Sequence, residues 1–395
     1  MNNFLTIKNF GPIKEATVEL KPMLILIGGQ GTGKSTLAKV LTICRDCLWY
    51  VSLFEKSEEY IYRPFRQYGI EEYFHEDSYI EYCENSIHII YSDKKFNITC
   101  NGSSDEEELS KIFKLIVSRE NFKIMQSLGL SQAESVDDFF NKNKELIVSN
   151  YSSSLYIPAE RNFAGVFSQS LANMMFANVP LPFTFISYLK YFEQAKKKYS
   201  VYEVPFLNIT YKNNQDKEGI LISQGNENHL LSLEECSSGI QSALPMLMIL
   251  EYCIEQDMYS SYVIEEPEQN LFPNNQLSLL RFMIKKIHKG KKQCNQTITT
   301  HSPYILTGIN VSLLAGIIAG KEDLSDEVSE IISPEYQLKP GKVAAYALGD
   351  NEEYCKNIMN EETGTIDQNY LDSTSVLMGQ EYNKLYKLYL KSLRK

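Results

Sequence analysis

The chain has no run of about 18 consecutive apolar residues, so no segment reads as a membrane-spanning helix. Its first residues, Met1-Asn2-Asn3-Phe4-Leu5-Thr6-Ile7-Lys8, lack the apolar stretch of a secretory signal. Only eight cysteines are scattered through 395 residues, which argues against a disulfide framework and for reduced thiols. Cys44 and Cys47 do stand in C-x-x-C spacing, but no second pair accompanies them. They fall on the helix expected after the glycine-rich stretch at 28–35, where positions i and i+3 share a face and pack as small apolar side chains. Positive charge is not in excess either. A net charge of −11 argues against a protein that coats nucleic acid over its whole surface, and leaves only local basic patches open. What the chain does have is 43% apolar residues, enough to bury a sizeable core, and a length that suits two domains or one large α/β core with an insertion. These features together place it, as an expectation, in the cytoplasm.

The most informative segment is Gly28-Gly29-Gln30-Gly31-Thr32-Gly33-Lys34-Ser35, which fits G-x-x-x-x-G-K-[ST]. It directly follows the apolar run Met23-Leu24-Ile25-Leu26-Ile27 and precedes a helix opening at Lys34-Ser35-Thr36-Leu37-Ala38. Strand, glycine turn and helix N-terminus in that order let backbone N–H groups converge on phosphate oxygens. Gly28, Gly31, Gly33, Lys34, Ser35 and Thr36 are therefore assigned to a nucleoside triphosphate, with Lys34 reaching the β- and γ-phosphates and the Ser35 hydroxyl binding Mg²⁺.

Two later segments narrow the class. Ser261-Tyr262-Val263-Ile264-Glu265-Glu266-Pro267-Glu268 is an apolar strand that ends in carboxylates. Such an ending lets a P-loop ATPase hold Mg²⁺ and orient the attacking water, which gives Glu265 the Mg²⁺ side and Glu266 the water; a charged turn after a strand is the alternative. Thr299-Thr300-His301-Ser302-Pro303 follows Gln296-Thr297-Ile298, a β-branched strand pattern, and puts His301 where it can contact a γ-phosphate or simply serve as a polar turn residue. Between loop and acidic strand, Cys236-Ser237-Ser238-Gly239-Ile240-Gln241 opens an apolar helix. Ser237 or Ser238 is expected to cap it by accepting from the first free amides, and the same helix end is an anion site.

Taken in order, the phosphate loop, x-S-G-x-Q, strand-E-E-P-E and strand-T-H-S-P resemble the ABC-type P-loop ATPases of the SMC, RecF and overcoming-lysogenization-defect class. Phe4 to Leu20, with its turn at Gly11-Pro12, resembles the paired strands that begin such heads, and Tyr156-Ile157-Pro158-Ala159-Glu160-Arg161-Asn162 resembles a strand-end element near the Q-loop position. The resemblance implies an α/β fold: an ABC-type ATPase head with a mixed sheet flanked by helices and a helical insertion or arm. It further implies two heads sandwiching ATP and Mg²⁺. Ser238, Gly239 and Gln241 would act in trans, Glu266 and His301 would be catalytic, and Ser35 and Glu265 would bind the metal. Two departures stand out: Glu265 replaces a common Asp, and no glutamine stands in the element at 156–162.

The resulting division is a first half-head at 1–50, an insertion with a hairpin and helices at 51–150, and the strand-end element at 151–165. A helical arm with strands at 166–230, a second half-head at 231–320, and C-terminal strands with an amphipathic helix at 321–395 complete it. In the insertion, Ile87–Tyr91 is expected to pair with Phe96–Thr99, and Leu109 to Val117 to be helical. Residues 168–198 would form a short helical hairpin rather than a coiled coil, because no three or four heptads are sustained. Residues 341–348 and 354–359 read as two edge strands, and Glu381 to Leu393 as an amphipathic helix with a basic face. After Ser302 there is no D-x-D pair, so the nuclease domain of the OLD-type enzymes is not expected. The chain then resembles free-standing ATPase subunits of bacterial anti-phage systems of the Septu or retron-associated kind, where a second protein supplies the nuclease or toxin. The alternative is a DNA-repair or recombination ATPase acting on DNA itself. Lys285, Lys286, His288, Lys289, Lys291 and Lys292 bear on that choice as a local basic patch. No membrane partner is expected.

Overall fold

Apolar runs without polar alternation mark strands buried on both faces, and two neighbouring strands of the central sheet, at 23–28 and 343–348, are such runs. The computed structural model describes residues 3–54, 58–85, 87–100, 154–167, 180–214, 217–224, 227–288, 294–321, 324–349, 353–367 and 378–386. Its first strands are β1 (Phe4–Phe10), β2 (Ile13–Glu19) and β3 (Met23–Gly28), followed by helices α1 (Lys34–Cys44), α2 (Cys47–Phe54) and α3 (Glu58–Gln67). Next come β4 (Phe74–Glu84), β5 (Ile87–Ser92), β6 (Lys95–Cys100), β7 (Ser154–Ile157), α4 (Phe163–Phe167) and α5 (Phe183–Lys198). Strands β8 (Val201–Val204), β9 (Ile209–Asn214), β10 (Lys217–Gln224) and β11 (Glu227–Leu231) precede helix α6 (Ser238–Glu255) and β12 (Ser261–Glu265). The rest of the described chain adds α7 (Pro273–Met283), β13 (Asn295–Thr300), α8 (Pro303–Ala319), α9 (Ser325–Ile331), β14 (Val343–Leu348) and β15 (Cys355–Asn357).

The described strands form three sheets. The central one has six strands in the order β15-β14-β3-β13-β12-β7, parallel throughout except for the short β15 at its edge. Alternate residues of β3 serve different cores: Met23 and Ile25 join the core under α5 to α8, while Leu24 and Leu26 join the core shared with α1 and the first antiparallel sheet. The same alternation runs along β14, with Val343, Ala345 and Ala347 on one side and Ala344, Tyr346 and Leu348 on the other. The architecture is thus the expected mixed α/β one.

A five-stranded antiparallel sheet, β2-β1-β4-β5-β6, lies over the α1 side. β1 and β2 pair as expected, with Phe10 opposite Ile13 across the turn. The hairpin β5–β6 also forms, Tyr91 opposite Phe96, and joins β1 through β4. A third sheet, β11-β10-β9-β8, packs beside α5.

Several expectations are corrected here. Residues 343–348 are not an edge strand: β14 lies next to β3, pairing Val343 with Met23 and Leu348 with Gly28, and only β15 occupies the edge. A run of six residues buried on both faces is the signature of an interior parallel strand, and its distance in sequence from β3 hid the pairing. Cys44 and Cys47 do not share one helix, because α1 ends at Cys44 and α2 starts at Cys47. Burial pushes the Cys44 thiol well up, which leaves it an inert core side chain. Of the arm at 168–198, residues 183–198 are one helix, while the first half of the expected hairpin and the helix at 109–117 lie outside the described residues. The C-terminal helix is seen at 378–386, exposed throughout. Among the described residues no helix is long and apolar enough to cross a membrane.

Candidate nucleotide site

In parallel sheets, ligands gather at the carboxyl ends of the strands, where loops lead into helix N-termini. Strands β3, β13 and β12 are consecutive in the sheet, and their registers bring Leu26, Thr299 and Glu265 into one row. The phosphate loop therefore leaves β3 beside the ends that carry His301 and Glu265-Glu266. Tertiary structure unites these three segments.

Within the loop, Gly31 and Gly33 have φ of 75° and 82°, in the left-handed region. Gly33 is the N-cap of α1 and provides no side-chain hydrogen bond, so the first amides of the helix stay open to an anion. A Cβ on Gly33 would come within 2.6 Å of Ile13 Cγ1. Gly33→Ala is thus expected to destabilise the fold by about 1–2 kcal/mol from left-handed backbone alone, read by urea denaturation, with nucleotide affinity falling as well. Lys34 is buried and donates to the Gly28 and Gly29 carbonyls at 2.9 and 2.8 Å. Burial lowers the pKa of its ammonium, while the Glu266, Glu265 and Glu268 carboxylates, in that order, raise it. An ammonium bonded only to carbonyls in a field of carboxylates is free to exchange those carbonyls for phosphate oxygens. Ser35 is exposed, whereas Thr36 is buried.

Across from the loop, Glu265 is 4% exposed. Its Oε2 accepts from the Ala159 amide at 3.4 Å, and its Oε1 is buried without a hydrogen-bond partner. An orphaned buried carboxylate oxygen is what a divalent cation would satisfy. These oxygen donors fit Mg²⁺, for which Ser35 and Glu265 would be the protein ligands. No group of three His, Cys, Asp or Glu side chains suited to a metal exists among the described residues, so water and phosphate oxygens would complete the shell. Glu266 follows with φ of 43°, a left-handed conformation unusual for this residue type. Its Oε1 lies 3.4 Å from His301 Nε2, and both side chains are about one-third exposed.

Sequence reasoning assigned no role to several neighbours. Glu268 Oε1 accepts from Thr300 Oγ1 at 2.6 Å and from the His301 amide at 3.0 Å, tying the acidic turn to the histidine. Thr32 Oγ1 donates to Gly29 O at 2.9 Å, and Tyr354 Oη lies 2.6 Å from Pro12 O and 3.1 Å from Thr32 O, so the chain after β14 braces the loop. Arg161, which with Glu160 is open for the Q-loop role because no glutamine stands in the element at 156–162, is fully buried against the acidic turn. The carboxylate–threonine pairing had a signal in the E-E-P-E and T-H-S-P strings; the tyrosine had none, because its partners lie more than 300 residues away.

The helix end at Ser238 is built differently from the expectation. Ser237 is the N-cap of α6, yet neither it nor Ser238 caps through its side chain. Instead Gln241 Nε2 donates back to the carbonyls of Glu234 and Cys236, at 3.0 and 2.8 Å. Both serines are exposed, and a Cβ on Gly239 would meet Asn270 O at 2.7 Å. The carboxylates of the acidic turn act on Lys34, and Glu266 reaches His301, so the structure gathers the phosphate loop, Glu265, Glu266 and His301, while Gly239 packs on Asn270 just after that turn.

A glycine-rich loop on the central strand of a parallel sheet, facing an acidic strand end, is the site of a P-loop ATPase. The chain belongs to the AAA ATPase domain family, which matches residues 70–306, more than half of its length. That span begins after the phosphate loop. No curated protein matches. Among solved structures the chain is similar to the SMC head domain from Thermotoga maritima, at 12% identity over 78% of this chain and 92% of that one, TM-score 0.35. It is likewise similar to an Smc head domain with an extended coiled coil from Pyrococcus furiosus, bound to the C-terminal domain of ScpA, at 13% identity over 78% and 91%, TM-score 0.36.

Proposed function

We propose that the protein is an ATP-driven switch: two copies close around ATP, hydrolysis opens them, and a partner effector, a nuclease or toxin of bacterial anti-phage defence, is held or released accordingly. The observation that carries the reading is the pair of exposed serines at the start of α6. The phosphate loop, Glu265, Glu266 and His301 gather at one set of strand ends, while Ser237 and Ser238 are exposed at a helix end that Ser237 does not cap through its side chain. A helix end with open amides satisfies them with an anion, and the γ-phosphate held by a second copy is of that kind.

In the closed state Lys34 leaves the Gly28 and Gly29 carbonyls for the β- and γ-phosphates. Ser35 and Glu265 would hold Mg²⁺, which would supply charge neutralisation on the phosphate oxygens. Glu266 orients the attacking water and accepts its proton, and His301 links that carboxylate to the γ-phosphate. Gln241 keeps the turn before α6 folded so that Ser238 and Gly239 meet the partner copy. As a switch the protein needs only slow turnover, because its output is a population shift between two packed states. Direct action on DNA would draw on the lysines at 285–292, of which Lys285 is paired with Glu335 at 3.2 Å and Lys286 with Glu251, while Lys289, Lys291 and Lys292 lie outside the described residues.

Light scattering on the Glu266→Gln protein tests the reading. With ATP and Mg²⁺ the mass is expected to shift to a dimer, or a pre-existing assembly to tighten against dilution. ATP binding with no response of the assembly would sink the switch.

A further inference from the structure

Arg161 is 0% exposed, yet among the described residues its guanidinium is hydrogen-bonded to no carboxylate. Nη1 donates to Pro158 O at 3.2 Å and to Glu265 O at 2.5 Å, and Nη2 donates to Glu266 O. All three acceptors are backbone carbonyls. Along a regular strand successive carbonyls point to opposite sides, so one group can receive the carbonyls of Glu265 and Glu266 together only where the chain has turned. That turn is the left-handed residue Glu266, φ 43°. On its other side the Glu266 amide donates to Thr299 O at 2.9 Å, so both polar backbone groups of this residue are fixed from outside its own strand.

Left-handed backbone at a non-glycine persists only where the surroundings over-determine it. A rigid, planar guanidinium with several donors can do so; an ammonium on a flexible stem cannot hold three carbonyls in one geometry. Burial of the guanidinium opposes its charge, and the nearby Tyr188 oxygen and the Glu268, Glu266 and Glu265 carboxylates support it. The same carboxylates face the phosphate loop, so Arg161 sits behind the acidic turn while Lys34 sits before it.

We propose that Arg161 is a positioning residue for hydrolysis: by gripping the Pro158, Glu265 and Glu266 carbonyls, it locks the turn that aims the Glu266 carboxylate at His301 and the attacking water. The inference rests on Glu266 being the water-orienting carboxylate. It couples the end of β7 to the hydrolytic geometry through backbone, without Arg161 touching nucleotide.

Single-turnover ATP hydrolysis in four proteins tests it: parent, Arg161→Lys, Glu266→Gln and the double variant, with the affinity of a fluorescent ATP analogue measured alongside. Arg161→Lys is expected to lower the hydrolysis rate about tenfold or more, since small misplacements of reacting groups cost that much. Analogue affinity should stay within about threefold, because the loss falls on the transition state rather than on ground-state binding. In the Glu266→Gln background the same substitution should cause no further fall. An unchanged rate, an equal fall in both backgrounds, or a parallel loss of nucleotide affinity would each overturn the proposal. If Glu266→Gln hydrolyses like the parent, the underlying assignment of Glu266 fails instead, and the two failures are distinct. Should Arg161→Lys not fold, Arg161→Gln keeps two N–H donors without the buried charge and reads the same cycle.

Discussion

Glu266→Gln is expected to lower ATP turnover by about 10²- to 10⁴-fold, the span that a positioned general base contributes, with nucleotide affinity close to that of the parent. The amide has nearly the carboxylate's shape, so packing and the left-handed backbone at 266 are preserved, and of the carboxylate charges that raise the Lys34 ammonium's pKa the largest is lost while Glu265 and Glu268 remain. What disappears is the acceptor for the water's proton and the anionic partner of His301, 3.4 Å away. Both matter in the transition state and not in the bound ground state, so kcat falls without a matching rise in KM. Steady-state kinetics over a range of ATP concentrations checks this. A variant that keeps its kcat would move the hydrolytic role to another carboxylate, with Glu268, two residues on, the candidate once Glu265 is set aside for the metal, although its Oε1 already serves Thr300 and His301.

Glu84→Ala is expected to lose about 3–5 kcal/mol of folding stability, because removing one partner leaves a charge buried and unpaired. Arg45 follows the last residue of α1 and is 1% exposed. Its Nε and Nη2 meet the two oxygens of Glu84 at 2.7 and 2.6 Å, Nη1 donates to Ser261 Oγ at 2.9 Å, and Tyr82 Oη donates to Glu84 at 2.7 Å. Burial by itself would lower the guanidinium's pKa, yet the Glu84 carboxylate more than offsets it and the net direction is upward. The pair joins the end of α1, the end of β4 and, through Ser261, the start of β12. Replacing both partners with apolar residues, as in Arg45→Met with Glu84→Leu, should restore most of the loss, since well-packed hydrophobic substitutes for buried pairs are often neutral or better. Urea denaturation of the single and double variants reads both effects; a loss below about 1 kcal/mol for Glu84→Ala would place the pair among solvent-screened ones.

The chemistry-bearing strings were legible because each is local. A phosphate loop works through glycine conformations and a helix end within eight residues, so its sequence is its structure, and Gly33 with φ of 82° confirms the demand. The β1–β2 and β5–β6 hairpins were legible for the same reason: their partners are sequence neighbours joined by tight turns. At 237–238 Ser237 does occupy the N-cap of α6, but its side chain accepts from no amide, and the turn before the helix is held by Gln241 donating to the Glu234 and Cys236 carbonyls.

What the sequence by itself determined, then, is the local chemistry: a strand, a glycine loop and a helix end for phosphate, and carboxylates and a histidine at two further strand ends. Only the tertiary structure decided which strands stand side by side, that β14 rather than an edge flanks the phosphate-loop strand, and that Arg161 and the Arg45–Glu84 pair are buried. The physical reason is that periodicity and propensity act over a few residues, whereas parallel pairing and buried charge depend on groups brought together across long loops. Arg161 bonds to residues 104 and 105 positions away, and Arg45 to one 216 positions away. No local pattern encodes such a partner.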